Sequence, residues 1–532
     1  MQYNNRKEIA GNNETKNTVF STVMNLLLIF ILIIVSSFTD RDSSVIDIGS
    51  RLELFVDDYL IDHMENARLV LHRPQPREVS LICEEPWEIG GPGYATVFKD
   101  GDIYRMYYYG IPDGKDETMV TCYAESDDGI NWHKPELGLH EFEGSKKNNI
   151  ILRGPASHNF SPFKDNNPNT LPDQQYKGIG CGGFKQPMLR FASPDGINWR
   201  RLDELLRVEG NFDSHNTVFW DSEQGVYRAY WRASRRNDPR VPDGRDIKTA
   251  TSDDFLNWSE QLWLDYKPNR SGSYELDMTD DRGDHHQFYT NNVQAYYRAP
   301  HLLFGFPVRY SDRGWTPSKD VLPNLEERRE LADRGIGGGR PTRLGTALTD
   351  VLFMASRNGQ AFYVWPEAFI RPGIQRPGSW FYWQSATAWG MVETPPLFVG
   401  GPPELSFYVT DNARVGGPSR LRRYTLRIDG FASVYAPLTG GTVVTRLISF
   451  EGEYLEINFS SSAGGRLRIE LQDECGNPIQ GFALEDCDLQ YGDQIDRVVT
   501  WNGKAEVSEL AGRAVRLHFE LKDADVFAFR FR

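Results

Sequence analysis

The chain has 532 residues, which is too long for one compact hydrophobic core, so we expect at least two folded domains. Its 48 glycines, 30 prolines and 13% aromatic residues favour β-structure with many turns over a helical architecture. The formal net charge is −15 and the sequence has no clustered basic run. Both features argue against a nucleic-acid partner, because phosphate binding requires a concentrated positive surface.

The N-terminal segment 1–42 carries a targeting signal. Lys7 and Lys16 precede an uncharged apolar stretch over 19–38. Its strongly apolar centre has the length of a signal-peptide core, whereas the whole uncharged span approaches the length needed to cross a membrane. Ser36 and Ser37 supply small residues near a cleavage point. A cleaved secretory signal and an uncleaved anchor are therefore both open, and in either case the folded part is exported, as a secreted, periplasmic or membrane-anchored protein.

A short motif recurs along the chain and predicts the fold of its larger part. Asp and Gly form a tight turn, and the aromatic residue that ends the motif inserts between neighbouring sheets. Recurrence at unequal intervals of tens of residues is typical of a propeller whose loops differ in length. The copies are Ser126–Trp132, Ser193–Trp199, Ser252–Trp258 and a degenerate Ser356–Phe362.

Taken in chain order, the repeats predict five blades, over about 91–132, 150–199, 212–258, 286–362 and 389–428. The polar segment 310–342 reads as a surface insertion in the fourth blade. Beyond residue 430, runs such as Tyr454–Phe459 and Val515–Leu521 alternate apolar and polar residues, which indicates strands with one buried and one solvated face. The predicted fold is all-β: a five-bladed β-propeller over 43–430 followed by a C-terminal β-sandwich over 431–532.

Propellers bind ligands where their innermost strands begin, and several such positions carry polar residues. Asp213, His215 and Asn216 directly precede the strand that begins at Thr217, and His286 opens the fourth blade. A strand-entry turn explains the first three residues equally well. Since adjacent strand residues point to opposite faces, His285 and His286 cannot both face the channel.

Two further carboxylates complete the candidate catalytic set. Asp350 lies in an apolar strand, where a buried carboxylate needs a partner or a function. Glu393 is flanked by Met391, Val392 and two prolines, which would desolvate it and raise its pKa. We therefore predict that Asp213, Asp350 and Glu393 converge. Convergent carboxylates are what the cleavage of a glycosidic bond requires. In that reaction Glu393 would be the general acid, Asp350 the base or nucleophile, and Asp213 the orienting partner.

The remaining candidates would bind the substrate. His215 and Asn216 would donate hydrogen bonds to a sugar, and Trp389 would offer a stacking face. His286 joins this set. Arg357 would contact an acidic sugar or pair with a nearby acid. No metal site is predicted.

The blade-end motifs, the export segment and the terminal sandwich resemble the five-bladed glycoside hydrolases of families 32, 43 and 68, with the sandwich most similar to family 32. The family 32 motif Trp-Met-Asn-Asp-Pro-Asn-Gly is absent, and Cys83-Glu84 reverses the order of its Glu-Cys motif. No catalytic residue is therefore carried over. The resemblance implies a sugar-active propeller without a cofactor, with room for a structural calcium ion in the channel.

The sequence accordingly predicts an exported glycoside hydrolase that acts on a poly- or oligosaccharide through paired carboxylates. Two alternatives stay open: a carbohydrate-binding propeller without catalysis, and a sialidase-like enzyme with convergent arginines and a tyrosine nucleophile. In each case the expected partner is a carbohydrate, with no nucleic acid. A membrane is involved only if the N-terminal segment is retained.

Overall fold

The structure is a computed structural model that describes residues 44–112, 118–181, 187–235, 244–268, 287–333, 343–413, 415 and 417–532. The predicted targeting segment lies outside these residues. None of the described helices is long and apolar enough to cross a membrane. Five strands precede the first blade: β1 (Ile46–Gly49), β2 (Glu53–Leu54), β3 (Ile61–Glu65), β4 (Arg68–Leu71) and β5 (Gln75–Ile82).

Three regular antiparallel sheets of four strands follow in chain order. The first contains β6 (Gly93–Asp100), β7 (Ile103–Gly110), β8 (Val120–Ser126) and β9 (Ile150–Arg153). The second contains β10 (Ser161–Lys164), β11 (Tyr176–Cys181), β12 (Met188–Ser193) and β13 (Arg200–Arg201). The third contains β14 (Thr217–Asp221), β15 (Val226–Arg235), β16 (Gly244–Ser252) and β17 (Leu262–Trp263).

A seven-stranded sheet takes the place predicted for the fourth blade. It contains β18 (Asp265–Pro268), β19 (Gln287–Phe288), β20 (Gln294–Tyr296), β21 (Ala299–Gly305), β22 (Val308–Asp312), β23 (Ala347–Ser356) and β24 (Ala361–Ile370). Between β22 and β23, the insertion predicted over 310–342 includes the helix α1 (Leu325–Asp333), and the helix α2 (Arg343–Thr346) follows it. The buried Arg328 of α1 donates to the Trp380 carbonyl at 2.8 Å, so the insertion packs on the loop that follows the sheet.

The last blade closes the ring by taking a strand from the start of the propeller. It contains β25 (Val392–Thr394), β26 (Glu404–Asp411) and β27 (Arg420–Arg427), with β5 as its outer strand. The pairing of β27 with β5 is antiparallel, with Leu421 opposite Leu81. Closure by an early strand removes an open sheet edge, which would otherwise invite pairing with other chains.

The repeated motifs form the turns that the sequence predicts. In the first copy, the Ser126 hydroxyl accepts from the Gly129 amide at 2.9 Å, and Asp128 accepts from the Ile130 and Asn131 amides at 2.7 and 2.8 Å. The same pattern recurs in the second and third copies, and Asn358 replaces the aspartate in the fourth. Since their oxygens bind the turn itself, these aspartates are structural.

The motifs also join each blade to the preceding one. A side chain on a middle strand donates to a carbonyl in the turn of the next blade. The four contacts are Tyr408 to Gly129, Tyr107 to Gly196 at 3.0 Å, Arg190 to Phe255 at 3.3 Å, and Tyr230 to Gly359 at 2.8 Å. The terminal tryptophans are half-buried rather than fully buried, whereas Phe362 of the fourth copy is completely buried.

The C-terminal domain is an eight-stranded sheet system with a small two-stranded sheet beside it. Its strands are β28 (Ala432–Ala436), β29 (Gly441–Thr445), β30 (Ile448–Phe450), β31 (Leu455–Gln472), β32 (Asp493–Val498) and β33 (Arg516–Phe531). The long strand β33 pairs with β2, β28, β29 and β31. All-β architecture, with a propeller followed by a C-terminal β-domain, is thus confirmed.

The predicted propeller boundary at residue 43 is wrong, because the first strands pair elsewhere. β1 pairs with β30, β2 with β33, β3 with β29 and β4 with β28. Residues 46–71 therefore belong to the C-terminal sheets, and the propeller begins at β5. Phe431 joins the two parts, since its ring lies 4.7 Å from that of Phe304 and 5.2 Å from that of Phe353 in the seven-stranded sheet.

Candidate active site where the innermost strands begin

The innermost strands of the five sheets pack around one centre. β10 contacts both β6 and β14, and β25 contacts β6. The Thr217 hydroxyl donates to Asn291 at 3.0 Å, and the Asn292 amide donates to the Thr387 carbonyl at 2.8 Å, which links the third, fourth and fifth blades. The Trp389 amide donates to the Ala95 carbonyl at 2.8 Å and returns the ring to the first blade.

Side chains from all five blades meet where these strands begin, and we call them the central cluster. Tyr94 begins the first blade, His158 precedes the second, Asp213 precedes the third, Tyr289 precedes the fourth and Trp383 precedes the fifth. The central cluster consists of Tyr94, Tyr109, His158, Asp213, Arg232, Arg245, Tyr289, Tyr310, Tyr382 and Trp383.

Among the described residues of the central cluster, Asp213 is the one that carries a carboxylate. Its Oδ1 lies 3.0 Å from His158 Nε2 and its Oδ2 lies 3.2 Å from Arg232 Nη2, while the side chain keeps 21% of its surface exposed. Burial raises the pKa of Asp213, but the hydrogen bond from His158 and the charge of Arg232 outweigh it and lower the pKa below 3.8. Asp213 is therefore ionised at neutral pH.

Aromatic rings form the wall around this carboxylate. The Tyr94 ring lies 5.0 Å from that of Trp383 and 5.5 Å from that of His158, and Tyr109 stacks on His158 at 5.6 Å. On the other side, the Tyr289 ring lies 5.4 Å from that of Trp383. Burial raises the pKa of Tyr94 well above its usual range, so its hydroxyl stays protonated.

Two guanidinium groups lie over one ring of the wall. The Arg232 and Arg245 guanidinium carbons are each 5.0 Å from the centroid of Tyr289. Arg232 is only 2% exposed, whereas Arg245 is half-buried and donates to the neutral Gln287 side chain. The cluster therefore presents two cations and one described carboxylate.

The backbone at the cluster adopts conformations that non-glycine residues rarely occupy. Tyr94 has φ of 42°, and the loop before the fifth blade contains Trp380, Trp383 and Ser385 at 65°, 73° and 66°. Contacts fix this loop: the Thr349 hydroxyl donates to the Gln384 carbonyl at 2.6 Å, and the Ser385 amide donates to Thr410 at 3.1 Å. Strained backbone of this kind concentrates at functional sites.

His215 and Asn216, which were predicted to bind substrate, lie beneath the cluster. His215 is 1% exposed, its ring lies 5.7 Å from that of Tyr94, and burial lowers its pKa to about 3, so it stays neutral. Asn216 is fully buried and its amide donates to the carbonyls of Phe212 and Ser214 at 2.8 and 3.0 Å. The contacts of Asn216 support the strand-entry interpretation, because its amide bonds to the turn before β14, whereas the His215 ring lies beside Thr96 of the first blade.

Asp350 does not join Asp213. Its side chain is 20% exposed and forms a two-point ion pair with Arg309, at 2.9 and 2.5 Å, across the β22–β23 pairing. Its neighbour Thr349 bonds to the loop that carries Trp383, and successive strand residues point to opposite faces. Asp350 therefore points away from the central cluster, and the predicted convergence of the three acids is wrong.

Glu393 lies toward the other end of the channel. The inner strand of the fifth blade runs from the Trp383 loop through Thr387 and Trp389 before it reaches Glu393 in β25. The Glu393 side chain accepts from Tyr297, which follows β20 at the end opposite Tyr289. Several residues of extended chain, each rising about 3.3 Å, separate the two ends. Sequence neighbours could not reveal this, because Glu393 follows the inner segment and does not begin it.

The other predicted binding residues have structural contacts. Trp389 is 8% exposed and donates to the Val293 carbonyl at 2.8 Å, so it packs between blades and offers no stacking face. Arg357 pairs with the buried Glu53 at 2.8 Å and with Asp57 at 3.3 Å, where it lines a cavity of about 280 Å³ between the propeller and the N-terminal strands. His286 lies outside the described residues.

Sequence reasoning missed most of the cluster. Tyr94 lies in the first residues of β6 and Tyr289 lies between β19 and β20, near positions where polar residues were sought, but neither tyrosine was named as a candidate. Arg232 and Arg245 lie on β15 and β16, on either side of the segment 236–243, and no local pattern marks them as facing Tyr289. The aromatic run 380–383 was a usable signal. Within the described ranges, no group of three or more His, Cys, Asp and Glu residues is placed to hold a metal ion.

Comparisons with known proteins give matches among solved structures alone. No known protein family and no curated protein matches the chain. Among solved structures, an N-acetylgalactosamine deacetylase from F. plautii is 12% identical with a TM-score of 0.40, covering 69% of this chain and 95% of its own. A thermostable family 43 glycoside hydrolase is 12% identical with a TM-score of 0.40, and the match covers 67% of this chain and 96% of that protein. The family 32 β-fructofuranosidase of Bombyx mori is 10% identical with a TM-score of 0.36, and the match covers 87% of this chain and 94% of that protein. Two of these three similar structures are glycoside hydrolases of families that the sequence analysis named, and TM-scores of 0.36–0.40 carry no further conclusion about this chain.

Proposed function

We propose that the protein is a carbohydrate-active hydrolase that cleaves a glycosidic bond at the central cluster. The observation that carries this proposal is the ionised Asp213, held at the open side of a wall of tyrosine and tryptophan rings. Ring faces suit the apolar faces of a sugar, and a carboxylate is the base or nucleophile that glycosidic cleavage requires. This site replaces the three-acid arrangement expected from the sequence.

Within this proposal, Asp213 acts on the substrate and His158 positions it. His158 Nε2 lies 3.0 Å from Asp213, and its Nδ1 lies 3.2 Å from the Met119 sulfur. Because Nε2 faces the ionised Asp213 and Nδ1 faces the Met119 sulfur, neither ring nitrogen of His158 is directed at a substrate beside Asp213. Each oxygen of Asp213 has a second lone pair beyond its bond to His158 or Arg232. Asp213 is thus the group that activates water or attacks the anomeric carbon.

One observation favours a second candidate, a carbohydrate-binding propeller without catalysis. Among the described residues, the central cluster contains a single carboxylate, whereas paired-acid glycosidases use two. A sialidase-like enzyme would need three convergent arginines, and the described cluster contributes Arg232 and Arg245.

A screen separates these candidates. The exported protein would be incubated with a panel of polysaccharides and aryl glycosides, with released reducing ends or aglycone measured alongside binding. Turnover of any one substrate supports the hydrolase. Binding without turnover across the panel supports the binding propeller. The absence of both turnover and binding across the whole panel would contradict both proposals.

We also propose that the chain is exported and that the mature protein begins shortly after Ser37. The apolar centre of the segment 19–38 is short, and small residues follow it. N-terminal sequencing of the exported protein is expected to find a start close to Ser37. Recovery of the chain in a membrane fraction with Met1 intact would contradict cleavage and support the anchor.

A further inference from the structure

The central cluster has hydrogen-bond donors without acceptors. Among the described residues, neither Nη1 of Arg232 nor Nε1 of Trp383 has a hydrogen-bond partner, although both atoms are buried. The two side chains flank the same ring, since Trp383 lies 5.4 Å and the Arg232 guanidinium 5.0 Å from the Tyr289 centroid. A buried donor left unpaired is destabilising, so a site with two of them is suited to a ligand that accepts hydrogen bonds.

The charges of the cluster point the same way. Arg232 shares Asp213 with His158, and Arg245 donates to a neutral glutamine. Two guanidinium groups therefore face one described carboxylate, in a protein with a net charge of −15. A positive site on an acidic protein is not a consequence of composition. It provides the charge and the planar donor geometry that guanidinium groups use to bind carboxylates.

Access is compatible with binding from one side. Arg232 and Trp383 are 2% and 7% exposed and form the floor, whereas Asp213, His158 and Arg245 retain exposed surface. A sugar that lies against the rings would place one substituent near Arg232 and Arg245 and another near Asp213. Arg232 and Arg245 would thus select the substituent that the sugar carries, and Asp213 would lie beside the bond that is cleaved.

We propose that the sugar bound at the central cluster is acidic, a uronate whose carboxylate is held by Arg232, Arg245 and Trp383 Nε1. This inference rests on the proposed carbohydrate function and names its substrate class. A sulfated sugar would offer an anion of different shape, and a neutral sugar would bring no carboxylate to the Arg232 Nη1 and Trp383 Nε1 donors.

The test measures binding by calorimetry with the exported protein, so that its outcome does not depend on turnover. The probes are galacturonate and glucuronate and their trisaccharides, compared with galactose, glucose and glucose 6-sulfate. We expect at least one uronate to bind about 10-fold or more tightly than its neutral counterpart, with an affinity that falls as salt rises. Equal affinity for the neutral sugar, tighter binding of the sulfated sugar, or no binding of any uronate would overturn the inference.

A matched pair of variants localises the effect. Arg245→Gln removes the partly exposed cation and is expected to weaken uronate binding about 10- to 100-fold, and to weaken the binding of neutral sugars by much less. Arg309→Gln makes the same charge change on β22, beside Tyr310, but on the side chain that pairs with Asp350. Equal weakening by both variants would show a general charge effect and overturn the assignment. A cleaved neutral glycoside with no uronate binding would refute the acidic specificity and leave the hydrolase proposal intact.

Discussion

Replacement of Asp213 by Asn is expected to lower kcat by about 10³-fold or more on whichever glycoside the protein cleaves, because the amide can neither activate water nor attack carbon. Asparagine has nearly the same shape, and its single amide oxygen can still accept from either Arg232 or His158, so the fold should survive. The measurement is kcat and KM for both proteins, with far-UV circular dichroism and the urea midpoint as checks on folding. Because burial raises the pKa of Asp213 less than His158 and Arg232 lower it, kcat of the wild type should fall only at a pH below the usual range of an aspartate.

Asp350→Asn is the matched control for this experiment. Asp350 is exposed to the same extent as Asp213, at 20% against 21%, and likewise pairs with an arginine. It differs in pointing away from the ring wall, so its replacement should change kcat by less than a few-fold. Near wild-type turnover by the Asp213 variant, or a large loss in the Asp350 variant, would place the reacting carboxylate elsewhere.

Replacement of Glu53 by Gln is expected to lower the free energy of unfolding by about 3–5 kcal/mol, since removing one partner of a buried ion pair leaves the other uncompensated. Glu53 is fully buried and contacts Arg357 at 2.8 Å, Arg51 at 2.7 Å and His301 at 3.3 Å. It links β2, in the C-terminal sheets, to the Arg357 turn of the fourth blade. Urea unfolding of both proteins at pH 7 gives the comparison.

The contribution of Glu53 to the free energy of unfolding is expected to fall on acidification. Burial raises the pKa of Glu53, but the charge of Arg357 and the contacts of His301 outweigh it, so the folded pKa lies well below the ordinary 4.5. A lowered folded pKa contributes stability that is present above 4.5 and lost as pH falls below it. The stability difference between wild type and Glu53→Gln should therefore shrink on acidification below this value.

An exposed pair serves as the control for Glu53. Asp173 and Arg200 lie 2.6 Å apart but keep 60% and 48% of their side chains exposed. Solvent screens such pairs, so Asp173→Asn should change the free energy of unfolding by less than about 1 kcal/mol. A loss in Glu53→Gln no larger than in this control would show that the junction is held by its apolar contacts alone.

Local sequence predicted the blade ends because their physics is local. Within Ser126–Trp132, the serine, aspartate and glycine supply their own hydrogen bonds and the required backbone conformation, so the motif reports its structure wherever it occurs. The degenerate copy Ser356–Phe362 was recognised for the same reason, since Asn358 accepts the same amides. Alternation likewise predicted the long strands β31 and β33, whose pattern follows from one buried face.

The site was predicted only in part, and each error has a physical cause. Asp213 was found because it precedes an inner strand, but Asp350 and Glu393 were grouped with it on residue type. Which face Asp350 takes depends on strand register against β22, and the position of Glu393 depends on how far the inner segment extends. The Tyr289 ring, over which Arg232 and Arg245 lie, belongs to another blade. Contacts between elements far apart in sequence leave no periodic signal.

What the sequence by itself determined is therefore the repeated turn, the all-β class and the presence of a separate C-terminal β-domain, because each follows from short-range bonding or side-chain alternation. Tertiary structure alone decided that residues 46–71 pair with the C-terminal strands, that β5 closes the propeller, and that the ten side chains of the central cluster, Asp213 among them, meet from five blades. Those outcomes depend on which distant strands meet and in which register, and a single chain read residue by residue does not contain that information in any local pattern.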